Sequence, residues 1–263
     1  MGIYEEGTGS PLVLVPGAQG RWEYGRPTVH ALATSFHVLT SSLCGEPGCD
    51  SFDAAHGLDN DVAQVVAALD SRGIARAVVC GVSFGGLVAL RFAARFPERT
   101  SALILASTPG PSWNLKPRHD VYAAWPRLFA PVFLVEATRR FRNELAATFP
   151  ARRDRWAVTA FHVRTGLAAP VSVSLMARRG RLISALDPAA DARRVTVPTL
   201  VVTGEPALDY VVPVAGTSAY TQLIPNARHV VLARTGHLGT VTRPQEFARI
   251  VREFVERSTR KIA

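Results

Sequence analysis

Ser83 sits in Gly81-Val82-Ser83-Phe84-Gly85, a G-x-S-x-G pattern whose surroundings decide whether the serine can react. Before it, Ala77-Val78-Val79-Cys80 is small, apolar and mostly β-branched, as a buried strand requires. After it, Leu87 to Phe96 reads as a helix. A serine on so sharp a strand-to-helix turn is held at a strained backbone conformation. Its neighbours two before and two after nearly touch, so only glycine fits there. The turn presents the Ser83 hydroxyl above the sheet edge and leaves the Phe84 N–H free at a helix N-terminus, where it can bind an oxyanion. The chemistry this allows is nucleophilic attack on a carbonyl.

The rest of the chain supplies the elements that would carry such a turn. Gly2–Glu6 reads as a short edge strand, and Leu12-Val13-Leu14-Val15 as a buried strand ending in the loop Pro16-Gly17-Ala18-Gln19-Gly20. A helix over 24–34 leads to the strand Phe36–Thr40, and the amphipathic stretch Leu58–Arg72 is a second helix. Ala102–Ala106, Leu200–Thr203 and His229–Ala233 are further strands. The final helix, about 244–257, places Phe247, Ile250, Val251, Phe254 and Val255 on one stripe. Strands alternating with helices predict an α/β architecture: a doubly wound, mostly parallel sheet with helices on both faces. The alternation breaks between Pro109 and Val195, where apolar and arginine residues (Val132, Phe133, Val135, Glu136, Arg139, Arg140) recur at helical spacing. The expected division is a core of 1–110 and 196–263 with a helical cap insertion at 111–195.

Composition narrows the classes. The 263 residues are 48% hydrophobic and 19% charged, ordinary for a globular protein, and no apolar run approaches the ~18 residues of a membrane span. With no basic or apolar leader at the N-terminus and three cysteines (Cys44, Cys49, Cys80) that form neither a CxxC pair nor a histidine cluster, a cytoplasmic location is expected. Neither a disulfide framework nor a metal site is indicated, and Cys80 should be a buried strand thiol. The formal net charge is +9. Residues 111–195 hold 15 Lys and Arg against 6 Asp and Glu, so the whole excess lies in the insertion. No nucleic-acid-binding motif accompanies it, so no nucleic-acid partner is expected. The partner is a small-molecule substrate, for which the arginines raise the alternative of an anionic one. Oligomeric state is not legible.

The blocks at 12–20, 77–107 and 198–257 together resemble the α/β-hydrolase fold superfamily. That resemblance implies a Ser, acid, His order along the chain, with Ser83 as nucleophile and His237 as base. His237 stands in Arg234-Thr235-Gly236-His237-Leu238-Gly239, a glycine-flanked loop beyond the last strand and free to reach over the turn. For the acid, the resemblance implies an Asp with a proline four residues on. Asp209 and Pro213 keep that spacing, with two extra residues after Gly204, and Glu205 is the other carboxylate of the loop. The second oxyanion donor is implied to be the Ala18 N–H, beside that of Phe84. Pro16 stands where a histidine is commoner, which leaves a backbone donor intact. Gln19 and Trp22 are candidates for lining the site. The implied activity is hydrolysis of a carboxylic ester through an acyl-enzyme, without metal or organic cofactor. The same residues would serve cleavage of C–C, lactone or amide bonds, or a ligand sensor with negligible turnover.

Overall fold

The computed structural model describes residues 2–259, apart from the side chains of Phe133, Leu134, Ala137 and Arg140. Seven strands form one sheet: β1 (Tyr4–Glu6), β2 (Ser10–Val15), β3 (Phe36–Thr40), β4 (Ala77–Val82), β5 (Thr100–Ala106), β6 (Thr199–Thr203) and β7 (Arg228–Val231). Their order is β1-β3-β2-β4-β5-β6-β7. Only β1 is antiparallel, pairing with β3. The other pairings are parallel, so every crossover carries helices.

Strand periodicity builds a core on each side of the sheet. Val13, Val15, Val79, Leu103, Leu105 and Val201 point to one face and meet α2 (Asp59–Asp70) and α3 (Phe84–Arg95) through Val62, Val65, Leu69, Leu87, Leu90 and Phe92. The alternate residues Leu12, Leu14, Val78, Cys80, Ile104 and Val202 point the other way. They meet α1 (Arg26–Leu32) and α12 (Pro244–Thr259) through Val29, Leu32, Phe247, Val251 and Phe254. The stripe expected on the last helix thus divides: Phe247, Val251 and Phe254 are buried, while Ile250 and Val255 lie at its margin. Both faces of the central strands are covered, which is why they read as continuous apolar runs.

Between β5 and β6 the chain runs through α4 (Pro117–Ala124), α5 (Pro126–Thr148), α6 (Arg152–Ala168), α7 (Val173–Ser184) and α8 (Pro188–Arg194). Of the residues whose spacing predicts helix here, Phe133 and Arg140 have side chains outside the description. The last of these five, α8, packs against α3, and Arg91 of α3 bonds Asp191 at 2.9 Å and Asp59 at 3.2 Å. After β6 come the short helices α9 (Val214–Ser218) and α10 (Tyr220–Leu223), and α11 (Gly239–Thr242) follows β7. No described helix is long and apolar enough to cross a membrane. Cys44 and Cys80 are buried free thiols, and Cys49 is half-buried and also free.

Candidate active site

Ser83 joins β4 to α3 at φ 53° and ψ −121°, a conformation that costs a side-chain-bearing residue about 1–3 kcal/mol. Several contacts hold it there. The Ser83 N–H donates to Ala106 O at 2.8 Å, and the Gly86 N–H donates to Ser83 O at 2.9 Å. A Cβ on Gly81 would collide with the Gly85 carbonyl, and one on Gly85 with the carbonyls of Val15 and Pro16. The turn is therefore packed directly on the loop after β2. A Cβ on Gly17 would stand 3.4 Å from Ser83 Cβ, so the loop bearing Ala18 runs past the serine. Phe84 opens α3, and a helix does not pair its first N–H internally. Gln19 folds its side chain back toward Gly17, close to the serine. Trp22 is placed differently: its ring stacks on Tyr4 of the edge strand at 4.2 Å, with the Arg26 guanidinium over it at 5.4 Å. It packs with the α1 and α12 side of the core.

The loop beyond β7 brings His237 over the turn. Its Nε2 lies 3.1 Å from Ser83 Oγ and its Nδ1 lies 3.3 Å from Asp209 Oδ2. Asp209 comes from the loop after β6, its side chain 2% exposed. Its other oxygen accepts the N–H groups of Val211 at 3.0 Å and Val212 at 2.9 Å. Burial acts to raise the Asp209 carboxyl, but the adjacent imidazole and these two N–H donors outweigh it and hold the group below the usual carboxylate range. Glu205, the other carboxylate of the loop, turns away and accepts the Arg234 N–H at 2.7 Å. A proton on Nδ1 directed at this carboxylate would leave Nε2 as the acceptor facing the serine hydroxyl. Among the described residues no group of three His, Cys, Asp or Glu side chains could hold a metal ion.

Two residues not singled out in the sequence hold the loops beside this line. Arg179 of α7 is buried, donates to Ala18 O at 3.1 Å and Cys44 O at 3.0 Å, and pairs with Glu46 at 2.8 Å. Glu144 of α5 is wholly buried, and both its carboxylate oxygens accept the Leu238 N–H, at 2.9 and 3.1 Å. Burial pushes its carboxyl up to about 6, although the Gly236 and Leu238 N–H groups pull the other way. Arg179 was one of 14 arginines in the insertion and Glu144 one of its few acids, and nothing in their spacing marks either. The remaining arginines of the insertion are mostly outward: Arg127, Arg139, Arg142, Arg152, Arg153 and Arg164 are exposed.

A serine turn at the end of a central parallel strand, faced by a histidine from the loop beyond the last strand, is the arrangement of hydrolases built on α/β sheets. The chain belongs to the alpha/beta hydrolase family, whose sequence model matches residues 12–250. Among curated proteins it is 27% identical over 279 residues to a 2-hydroxy-6-oxo-2,4-heptadienoate hydrolase of Pseudomonas putida, covering 96% of this chain and 91% of that one. It is 26% identical over 260 residues to a 2-hydroxymuconate semialdehyde hydrolase of a Pseudomonas species, covering 96% and 89%. Among solved structures, the enol-lactonase of Burkholderia xenovorans LB400 superposes with a TM-score of 0.79 over 97% of this chain and 96% of that one. At 22% identity that likeness shows the fold alone.

Proposed function

We propose that the protein is a serine hydrolase cleaving a carboxylic ester of a small molecule beneath a cap formed by the helical insertion at 111–195. The observation that carries this reading is the continuous line from Ser83 Oγ through His237 to Asp209, at 3.1 and 3.3 Å. In the proposed reaction His237 Nε2 takes the Ser83 proton as Oγ attacks the carbonyl carbon, and Asp209 keeps Nδ1 protonated and the ring oriented. The Ala18 and Phe84 N–H groups receive the oxyanion, each such donor being worth about 3–4 kcal/mol. His237 returns the proton to the leaving alcohol, and water repeats the sequence on the acyl-enzyme.

A second reading has its own support. The relatives named for 2-hydroxy-6-oxo-2,4-heptadienoate and 2-hydroxymuconate semialdehyde act on molecules whose names contain a carbonyl and a carboxylate but no ester. The same serine would then attack a ketone or aldehyde carbonyl; as the adduct collapses the adjacent C–C bond breaks, its electron pair leaving with the departing carbon fragment, which takes the proton held by His237. Such substrates are anions, which agrees with the charge of the insertion.

The test is turnover of a p-nitrophenyl acetate-type ester beside a 2-hydroxy-6-oxo-dienoate, with fluorophosphonate labelling to locate the nucleophile. Ester turnover with label on Ser83 supports the first reading, and dienoate turnover exceeding it supports the second. Label elsewhere, or full activity in Ser83→Ala, overturns both. Binding without turnover of any member would indicate a sensor.

A further inference from the structure

The loop Arg234–Gly239 carries His237 between two glycines, and Arg234 within it stands at φ 59°. The Gly236 and Leu238 N–H groups on either side of the histidine need acceptors, and strand pairing supplies none beyond β7. The acceptor comes from the insertion. The buried Glu144 carboxylate lies against the loop, taking the Leu238 N–H on both oxygens at 2.9 and 3.1 Å, with one oxygen where a Cβ on Gly236 would come within 2.9 Å.

We propose that Glu144 is a positioning residue: from the cap, it fixes the peptide group that follows His237 and so sets the imidazole between Ser83 and Asp209. The inference rests on the serine-hydrolase reading of that line. Several features argue for more than filling space. An acid is costly to bury, and an amide or a leucine would occupy the same volume more cheaply. Both oxygens are spent on the N–H of the residue that follows the histidine. Transfer of the serine proton creates an imidazolium there, so a fixed negative group nearby favours the charge-separated state. Reacting groups need placement to about 0.5 Å, and Glu144 ties the loop that carries the histidine to α5.

A neighbouring contact separates this role from simple docking of α5. Thr148, one turn further along α5, donates to Arg234 O at 2.7 Å. It ties the same helix to the same loop but touches no peptide group next to His237.

The experiment compares native protein, Glu144→Gln and Thr148→Val in kcat, KM, rate of fluorophosphonate labelling of Ser83, Tm, and the downfield proton resonance of His237 Nδ1–H. Glu144→Gln should lower kcat by about 10- to 100-fold, with KM within about twofold, labelling slowed in proportion and the imidazole resonance shifted or broadened. Thr148→Val should lower Tm while the folded fraction retains kcat, labelling rate and resonance. If Glu144→Gln does not fold, Glu144→Asp, which keeps the charge but withdraws it by one methylene, is read by the same measures. Unchanged labelling and resonance in the folded Glu144 variant overturn the proposal. Equal losses in Glu144→Gln and Thr148→Val also overturn it, since docking alone would then account for the effect. Failure to label native Ser83 would instead remove the underlying reading, and the His237 resonance would still report whether Glu144 positions the ring.

Discussion

The Arg179 guanidinium lies 2.8 Å from the Glu46 carboxylate, with the two side chains 2% and 0% exposed. Arg179 belongs to α7 of the insertion and Glu46 to the loop after β3. The same guanidinium nitrogen that meets Glu46 also donates to Ala18 O. The insertion therefore reaches both halves of the site: Arg179 supports the loop of the proposed oxyanion donor, and Glu144 supports the loop of the histidine.

Removing one partner of a buried pair leaves an uncompensated charge, typically at a cost of about 3–5 kcal/mol. Arg179→Met should therefore lower stability by that order and Glu46→Gln similarly. The double variant should lose less than the sum, because no charge is then stranded. Arg179→Met should also reduce kcat/KM in its folded fraction through the freed Ala18 loop. Denaturant unfolding of the two single variants and the double one provides the measurement. Strictly additive losses would show the pair is not coupled.

The acid assignment turns on one geometric contrast. Asp209 faces His237 Nδ1 at 3.3 Å, whereas Glu205 is spent on the Arg234 N–H at 2.7 Å. Asp209→Asn should cost roughly 10⁴ in kcat by favouring the wrong imidazole tautomer, and Glu205→Gln far less. Single-turnover kinetics on both variants decide it, and the reverse ranking would transfer the role to Glu205.

What could be read without coordinates follows from how local each signal is. The turn at Ser83 was legible because a steric rule ties glycine to its flanks, and the strands because β-branched runs of four to six residues have few other uses. His237 and Asp209 were reachable only through the resemblance, since the two loops meet only in the folded chain. Glu144 and Arg179 were not legible. Helical spacing marks α5 as a helix but not its inward face, since Val132 and Val135 are exposed while Glu144 and Thr148 are buried, and whether an acid there meets solvent or a peptide N–H depends on a loop some 90 residues away. Trp22 illustrates the same limit of local signals: its place in the sequence beside Ala18 and Gln19 makes it a candidate for lining the site, and only the folded chain shows its ring stacked on Tyr4 at the edge of the sheet.

The strain at Ser83 gives a stability prediction independent of activity. In ordinary strand or helix interiors alanine is more stable than glycine by roughly 0.5–1 kcal/mol. At φ 53° and ψ −121° the side chain is the source of strain, so the order should invert. Ser83→Gly should melt above Ser83→Ala, with both variants folded and inactive. Calorimetry of the pair tests this, and the usual ranking would mean that Ser83 sits comfortably in solution.

Asp61 of α2 accepts the Cys44 N–H at 2.9 Å, and burial raises its carboxyl to about 6, against the pull of that N–H and of Arg179. The native carboxyl thus holds its proton more tightly than the unfolded chain, whose aspartates titrate near about 3.9. Its contribution is fully present below that lower value and is lost as pH rises through about 6. Asp61→Asn removes the titration, so its stability relative to the native chain should improve between pH 4 and 7, by on the order of 1–2 kcal/mol. Denaturant unfolding of both proteins across that range shows the trend. A difference independent of pH would place the titration elsewhere.

The outward arginines of the insertion lead to a prediction about rate rather than contact. Arg127, Arg139, Arg142, Arg152, Arg153 and Arg164 are exposed, whereas Arg179 is committed to Glu46 and Arg181 donates to Ala123 O at 2.7 Å. The exposed groups act as a one-signed field around the proposed cap, which raises the encounter rate of anions by about tenfold or more at low ionic strength. The consequence is specific. Given a neutral ester and its carboxylate-bearing analogue, the anion should be favoured in kcat/KM at low salt, with kcat itself nearly equal for the two. At ~0.5 M salt the Debye length falls to about 4 Å, and the preference should vanish. Replacing Arg152 and Arg153 with glutamine should remove part of the low-salt advantage and leave the neutral ester untouched. A preference that survives high salt would place a cation in direct contact with the substrate. Equal rates for the two esters at every ionic strength would reduce these arginines to a solvated surface.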